Sequence, residues 1–166
     1  QHCLIPPINA CKQVLNLKQG PNEGLADCIK RTKQVWDVNE SHNGKGWLDY
    51  TIEKQEAYRA LTDDDEKKEF KRKACEAAKG FMLMNCADPL KYGQLQKTMD
   101  SQFSMGQNQY ADTFEKGTDI LSNHKIDAKY FEVQKKQKEQ AKAAKEAKET
   151  EQTTTSFAQT GRQEPT

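Results

Sequence analysis

The chain has 166 residues, with 26 Lys and Arg against 25 Asp and Glu, for a formal net charge of +1. Only 26 of its residues are Leu, Ile, Val or Phe. So little apolar material builds a small core that gains stability from neighbouring chains, while the near-zero net charge argues against wholesale disorder. No apolar run approaches the roughly 18 residues that a membrane span needs. No secretory leader pattern opens the chain, and its first residue is Gln rather than Met, so it reads as a piece of something longer or as a processed product.

Abundant Ala, Lys, Glu and Gln, with few Val and Ile, favour helix over strand throughout. The first helix lies in "PPINACKQVLNLKQG". Pro7 suits its first turn, Ile8, Cys11, Val14 and Leu15 recur at helical spacing, and Gly20-Pro21 ends it. Asn22 is then placed to cap a second helix, with Glu23 in its first turn. Its inward stripe is Leu25, Cys28, Ile29, Thr32, Val35 and Trp36, and Asp27, Lys30, Arg31 and Lys33 take the outer side. "SHNGKG", Ser41 to Gly46, is a loop.

A third, weaker helix spans Leu48 to Leu61 and buries Leu48, Ile52, Tyr58 and Leu61. The fourth and longest runs from Asp63 to Asn85, capped by Thr62 or Asp63. Phe70, Ala74, Cys75, Ala77, Ala78, Phe81 and Met84 line one side of it, and Gly80 is a weak point. Asp88 caps the next, with Pro89 at its first position, Leu90, Leu95, Met99 and Phe103 inward, and Gly106 at its end. A short helix from Asp112 to His124 carries Phe114, Ile120 and Leu121. Beyond Phe131, "QKKQKEQAKAAKEAKETEQ" has no apolar stripe and is either a solvated or a nascent helix, and "TTTSFAQTGRQEPT" reads as disordered linker. The expected fold is all-α: a compact bundle of about five or six helices over residues 1–131, then a charged helical or disordered tail over residues 132–166.

The five cysteines, at positions 3, 11, 28, 75 and 86, are odd in number and irregularly spaced. That pattern suits neither a disulfide framework nor a zinc site, and buried reduced thiols in a cytoplasmic protein fit it better. The acids Asp63 to Glu66 lack the central Gly of a calcium loop and read as a helix cap. His2, His42 and His124 are scattered, and there is no Gly-rich phosphate loop or aspartic-peptidase triplet. The sequence therefore assigns no catalytic, cofactor or metal residue and no small-molecule substrate; the expectation is a protein that is not an enzyme. Lys67, Lys68, Lys71 and Arg72, with Lys135 and Lys136 in the tail, are candidate RNA contacts. The competing reading is a solvated face, since Glu66, Glu69, Glu76 and Glu139 are interspersed. Trp47 and Tyr92 are candidate interface residues, with Trp36 and Phe103 assigned to the core.

Two stretches carry a family likeness. The first has Gln19-Gly20 before a turn, Gly24-Leu25, Asp27 and the basic run Lys30-Arg31-Thr32-Lys33. The second has Phe81-Met82-Leu83, Ala87-Asp88, Tyr92-Gly93 and Leu95, then Tyr110, Thr113 and Ile120-Leu121. Together they resemble the capsid region of the Gag polyprotein of copia-type long-terminal-repeat retrotransposons, over roughly Lys12 to Lys125. "SFAQTG" is similar to the linker before that family's zinc knuckle. Ala111 stands where the family often has Pro, Cys28 where an aromatic is usual, and no zinc knuckle occurs. The resemblance implies a capsid-like structural protein that self-assembles into particles packaging RNA, with RNA held mainly by a region downstream of this chain. The alternative it leaves is a domesticated Gag fragment acting as a non-catalytic helical adaptor for a protein partner.

Overall fold

A computed structural model describes residues 3–159. Eight helices and no strand occur among them. The chain divides into one unit up to Ile126 and a second from Asp127.

Helix α1, Ile5–Leu15, has proline in its first turn, where a missing N–H costs no hydrogen bond. Its buried face is Ala10 and Val14, continued by Leu17 beyond the helix. Ile8 and Leu15, expected on the inner face, lie exposed on the outer side with Leu4 and Ile5. The helix also stops short of Gly20-Pro21: the Asn16 N–H closes onto the Lys12 carbonyl and the chain turns there.

Helix α2, Leu25–Asn43, starts at Gly24 rather than Asn22, because the intervening residues build a turn of their own. The Glu23 carboxylate accepts from the Gly20 N–H at 2.9 Å and from Arg31, which pins the loop before the helix begins. The inward stripe is Cys28, Thr32, Trp36 and Asn39, with Leu25, Ile29 and Val35 partly buried beside it. The helix runs on through Ser41 to Asn43, which were expected in a loop, and ends where Gly44 adopts φ 82°. Asn43 holds that last turn by donating to Asn39 Oδ1 at 2.8 Å and to the Pro7 carbonyl at 2.9 Å.

The third predicted helix is broken into α3, Asp49–Glu53, and α4, Glu56–Arg59, by the polar run Lys54-Gln55, which offers no apolar residue to the stripe. Ile52 is buried; Leu48, Tyr58 and Leu61 are half-buried. Helix α5, Asp64–Cys86, is capped by Asp63, whose carboxylate accepts from the N–H groups of Asp65 and Glu66. Helix α6, Pro89–Ser104, is capped by Asp88, and the chain leaves it through Gly106 at φ 81°. Helix α7, Phe114–Asn123, is capped by the Thr113 hydroxyl.

The core joins Leu17, Cys28, Leu83, Cys86, Ala87, Tyr92, Phe114 and Leu121. The most extensive helix pairings are α5 with α7 and α1 with α2. Tyr92, expected at an interface, belongs to this core. Phe103, expected inside, is 59% exposed, because it lines an open groove beside α5 rather than a closed core. Phe81 is 41% exposed, one position round α5 from buried Gly80.

The second unit is dominated by α8, Ala128–Gln159. It continues through residues 153–159, where linker was expected, and the hydroxyls of Thr150, Thr153 and Thr154 each donate to the carbonyl four residues back. His2 and the end of the SFAQTG stretch lie outside the described residues.

Candidate functional site

Lys68, Lys71 and Arg72 of α5 are already partnered. Lys71 Nζ lies 3.1 Å from Asp49 Oδ2 and 2.6 Å from Glu53 Oε1, and these hydrogen bonds hold its ammonium well above its ordinary pKa. Arg72 grips Glu69 with two hydrogen bonds, at 2.8 and 2.7 Å, and Lys68 stands 3.7 Å from Asp65. Lys67 is half-buried. Exposed pairs of this kind contribute little to stability, but each carboxylate cancels field that a phosphate would need. Lys135 and Lys136 are exposed on α8, in the other unit. No group of three or more potential metal ligands occurs among the described residues.

A groove of about 560 Å³ opens between α2, α5 and the start of α7. Lys33 sits over the Phe114 ring at 5.3 Å and Lys79 over the Trp36 ring at 5.4 Å. Lys33, Arg72 and Lys79 line it together with Asp37, Glu76 and Glu115, so the charges balance. What the groove offers is ion pairing and cation–π contact.

Apolar surface is the more distinctive feature. On α1 and its N-cap, Leu4, Ile5, Ile8 and Leu15 are all between 60% and 67% exposed. A second patch lies beside α5, where the Tyr110 ring packs edge-on against Phe81 at 4.9 Å and Phe103 at 6.1 Å. Together with Ala77, Ala78 and Ala111 they line an open groove of about 550 Å³. The Tyr110 hydroxyl donates to Asp100; burial and that carboxylate push its pKa up to about 12, so it stays protonated and keeps donating. Trp47 is half-buried, edge-on to Trp36 at 5.4 Å. The α1 signal was present in the sequence: apolar residues fall on more than one side of that helix, which is more than a single neighbour covers.

The two stretches that carry the family likeness meet at one corner. Gln19 is buried; its backbone N–H donates to the Cys86 carbonyl at 2.7 Å, and its Oε1 accepts from the Asp88 N–H at 2.9 Å. Its Nε2 donates to the Glu23 carbonyl at 2.9 Å. Arg31 closes the corner, donating to both Glu23 carboxylate oxygens, at 2.7 and 2.8 Å, and to the Lys18 carbonyl at 2.7 Å. The Arg31 hydrogen bond holds the Glu23 carboxyl down to about 2, against the opposing effect of burial.

The folded-state pKa of Glu23 lies below its unfolded value. The pair therefore stabilises fully above the ordinary glutamate range, and the contribution disappears as pH falls towards 2. Because Arg31 is 39% exposed, solvent screening cuts the effect to about 1 kcal/mol. Glu23→Gln is expected to lose about that much at neutral pH and almost nothing near pH 2, so its urea-unfolding curve converges on that of the parent as acid is added. A gap that stays constant with pH would show that the carboxylate is not what matters there.

Compared with protein-family models, curated proteins and solved structures, the chain matches none. The described residues define an all-helical protein with uncovered apolar surface, and no helix among them is long and apolar enough to cross a membrane.

Proposed function

We propose that this chain is a structural, non-catalytic subunit of the Gag capsid type, assembling with copies of itself into particles around RNA in the cytoplasm. The observation that carries the reading is the outer side of α1: Leu4 at its N-cap and Ile5, Ile8 and Leu15 within it are each exposed to solvent. Single exposed apolar residues are ordinary, but a cluster of them marks a contact surface. Each such contact is weak, and many repeated around a shell hold through avidity. The corner where Gln19 meets Asp88 supports the family likeness, because both resembling stretches contribute to one packed feature. Free thiols at all five cysteines fit a reducing compartment. RNA contact falls to Lys135 and Lys136 more than to α5, whose Lys68, Lys71 and Arg72 are engaged with carboxylates.

The test is sedimentation and electron microscopy of the pure chain with and without RNA. Particles or large oligomers are expected, and Ile8→Asp with Leu15→Asp should return the chain to monomer while its melt moves by no more than a few degrees, since both side chains are already in water. A strict monomer at high concentration in all salts would sink the reading. The adaptor alternative draws on the Phe81, Phe103 and Tyr110 groove, which is shaped to take apolar side chains of a different protein. In that case the pure chain sediments as a monomer and Phe103→Asp abolishes partner binding.

A further inference from the structure

Two sulfur atoms meet where α2 passes the end of α5. Cys28 stands near the start of α2 and Cys86 is the last residue of α5, 58 positions later. Their Sγ atoms are 3.5 Å apart, and both residues are buried. The other three cysteines are each exposed or half-buried. Thr32 Oγ1 donates to the Cys28 carbonyl at 2.8 Å and lies 3.7 Å from Cys86 Sγ. The backbone on both sides is fixed. The Cys28 N–H is bonded to the Gly24 carbonyl, and the Cys86 carbonyl accepts from Gln19.

Two small apolar residues would fill this space equally well, so packing alone does not call for a thiol at either position. What the thiols add is reach. A disulfide needs its sulfurs at about 2.05 Å, and the remaining gap of roughly 1.5 Å is within what side-chain rotation and slight backbone adjustment can close.

We propose that Cys28 and Cys86 are a modification site: hydrogen peroxide converts them to an intramolecular disulfide that staples α2 to the α5–α6 corner. The Cys86 thiolate attacks one peroxide oxygen; the S–O bond forms as the O–O bond breaks, and hydroxide leaves to be protonated to water. Cys28 then attacks the Cys86 sulfur of the sulfenic acid; the S–S bond forms, the S–O bond breaks, and the departing hydroxide takes the Cys28 proton and leaves as water. Two thiols are oxidised and one peroxide is reduced to two waters. Either sulfur can donate in the contact between them; with the Cys28 S–H as donor, that hydrogen bond and the Arg31 charge favour a thiolate on Cys86 against the effect of burial, while the same partnership pushes the Cys28 pKa up, so Cys86 is written as the first nucleophile. Burial excludes a bulky disulfide, so the oxidant in the proposal is a small peroxide. A dithiol reverses the reaction when the site opens.

The proposal stands apart from self-assembly and is tested on the full chain. The protein is treated with a slight excess of hydrogen peroxide, remaining thiols are alkylated, and the digest is mapped without reduction. The expected result is a dominant Cys28–Cys86 linked peptide. Because the cross-link closes a long loop in the unfolded chain, the oxidised protein should melt about 10 °C higher, and dithiothreitol should reverse the shift. Cys28→Ser should remove both signals. Since that substitution also touches the core, a variant carrying Cys3→Ser, Cys11→Ser and Cys75→Ser provides the second arm and must keep the link and the shift. Alkylation of both residues after oxidation, a link to any other cysteine, a stable sulfinic acid on Cys86, or an oxidised melt equal to or below the reduced one overturns the proposal.

Discussion

Leu83→Asp is expected to abolish the cooperative melt of the first unit, whereas Phe81→Asp, two positions away on the same helix, lowers the melt by only a few degrees. Leu83 is fully buried among Cys28, Cys86, Tyr92, Phe114 and Leu121. Removing a leucine side chain from such a site costs about 3–4 kcal/mol through lost burial and the cavity left behind. An aspartate there adds the several kcal/mol needed to bury a charge or to neutralise it. The sum rivals the roughly 5–15 kcal/mol that holds an ordinary domain folded. Phe81 is another matter. It is 41% exposed, and its main attachment is the edge-on contact with Tyr110. Losing that ring pair and its partial burial costs about 1–2 kcal/mol, and the introduced charge stays in water. Circular dichroism melts of both variants decide it: equal losses would mean that α5 packs on a different face.

The same contrast shows what the sequence could and could not convey. The caps at Asp63, Asp88 and Thr113 are local, because each side chain bonds to N–H groups within three residues of itself. The α2 stripe was equally legible, since Cys28, Thr32 and Trp36 have polar residues on the opposite side and only one face to bury. Helix α1 lacked that asymmetry. With apolar residues on several sides, spacing could not say whether Val14 or Ile8 turned inward, and the answer depended on where α2 lay. Phe103 continues the spacing of Leu95 and Met99, but no periodicity reveals that the space it faces is an open groove beside α5. The candidate sites were hidden for the same reason. The carboxylates beside Lys71 come from Asp49 and Glu53 on a different helix. The Cys28–Cys86 contact joins positions whose irregular spacing argues against any pairing, and only the fold brings them together.

Gly80→Val is expected to cost about 4 kcal/mol, and Gly80→Ala about 2, although alanine is the better helix former by about 1 kcal/mol. Gly80 reads as a weak point in a long helix, yet it is buried against the segment leading into α7. A Cβ built there would stand 2.6 Å from the Thr113 carbonyl oxygen and 2.8 Å from that of Ala111. Both obstacles are backbone, so they cannot swing aside as a side chain would. Relief requires α7 to retreat, which opens its contact with α5, the most extensive helix pairing in the unit. The two branched methyls of valine deepen the clash. Gly117, on the facing side of the same contact, is more forgiving: its added Cβ would lie 3.3 Å from the Gly80 carbonyl, a distance that a shift of a few tenths of an ångström relieves. Gly117→Ala is therefore expected to stay within about 1 kcal/mol of the parent, its helix propensity offsetting the crowding. Urea unfolding of the three variants gives the order. Were Gly80→Ala to stabilise the chain, as it does at an open helix position, the close approach of α5 and α7 would not exist in solution, and with it would go the packing that buries Leu83 and Leu121 in one core.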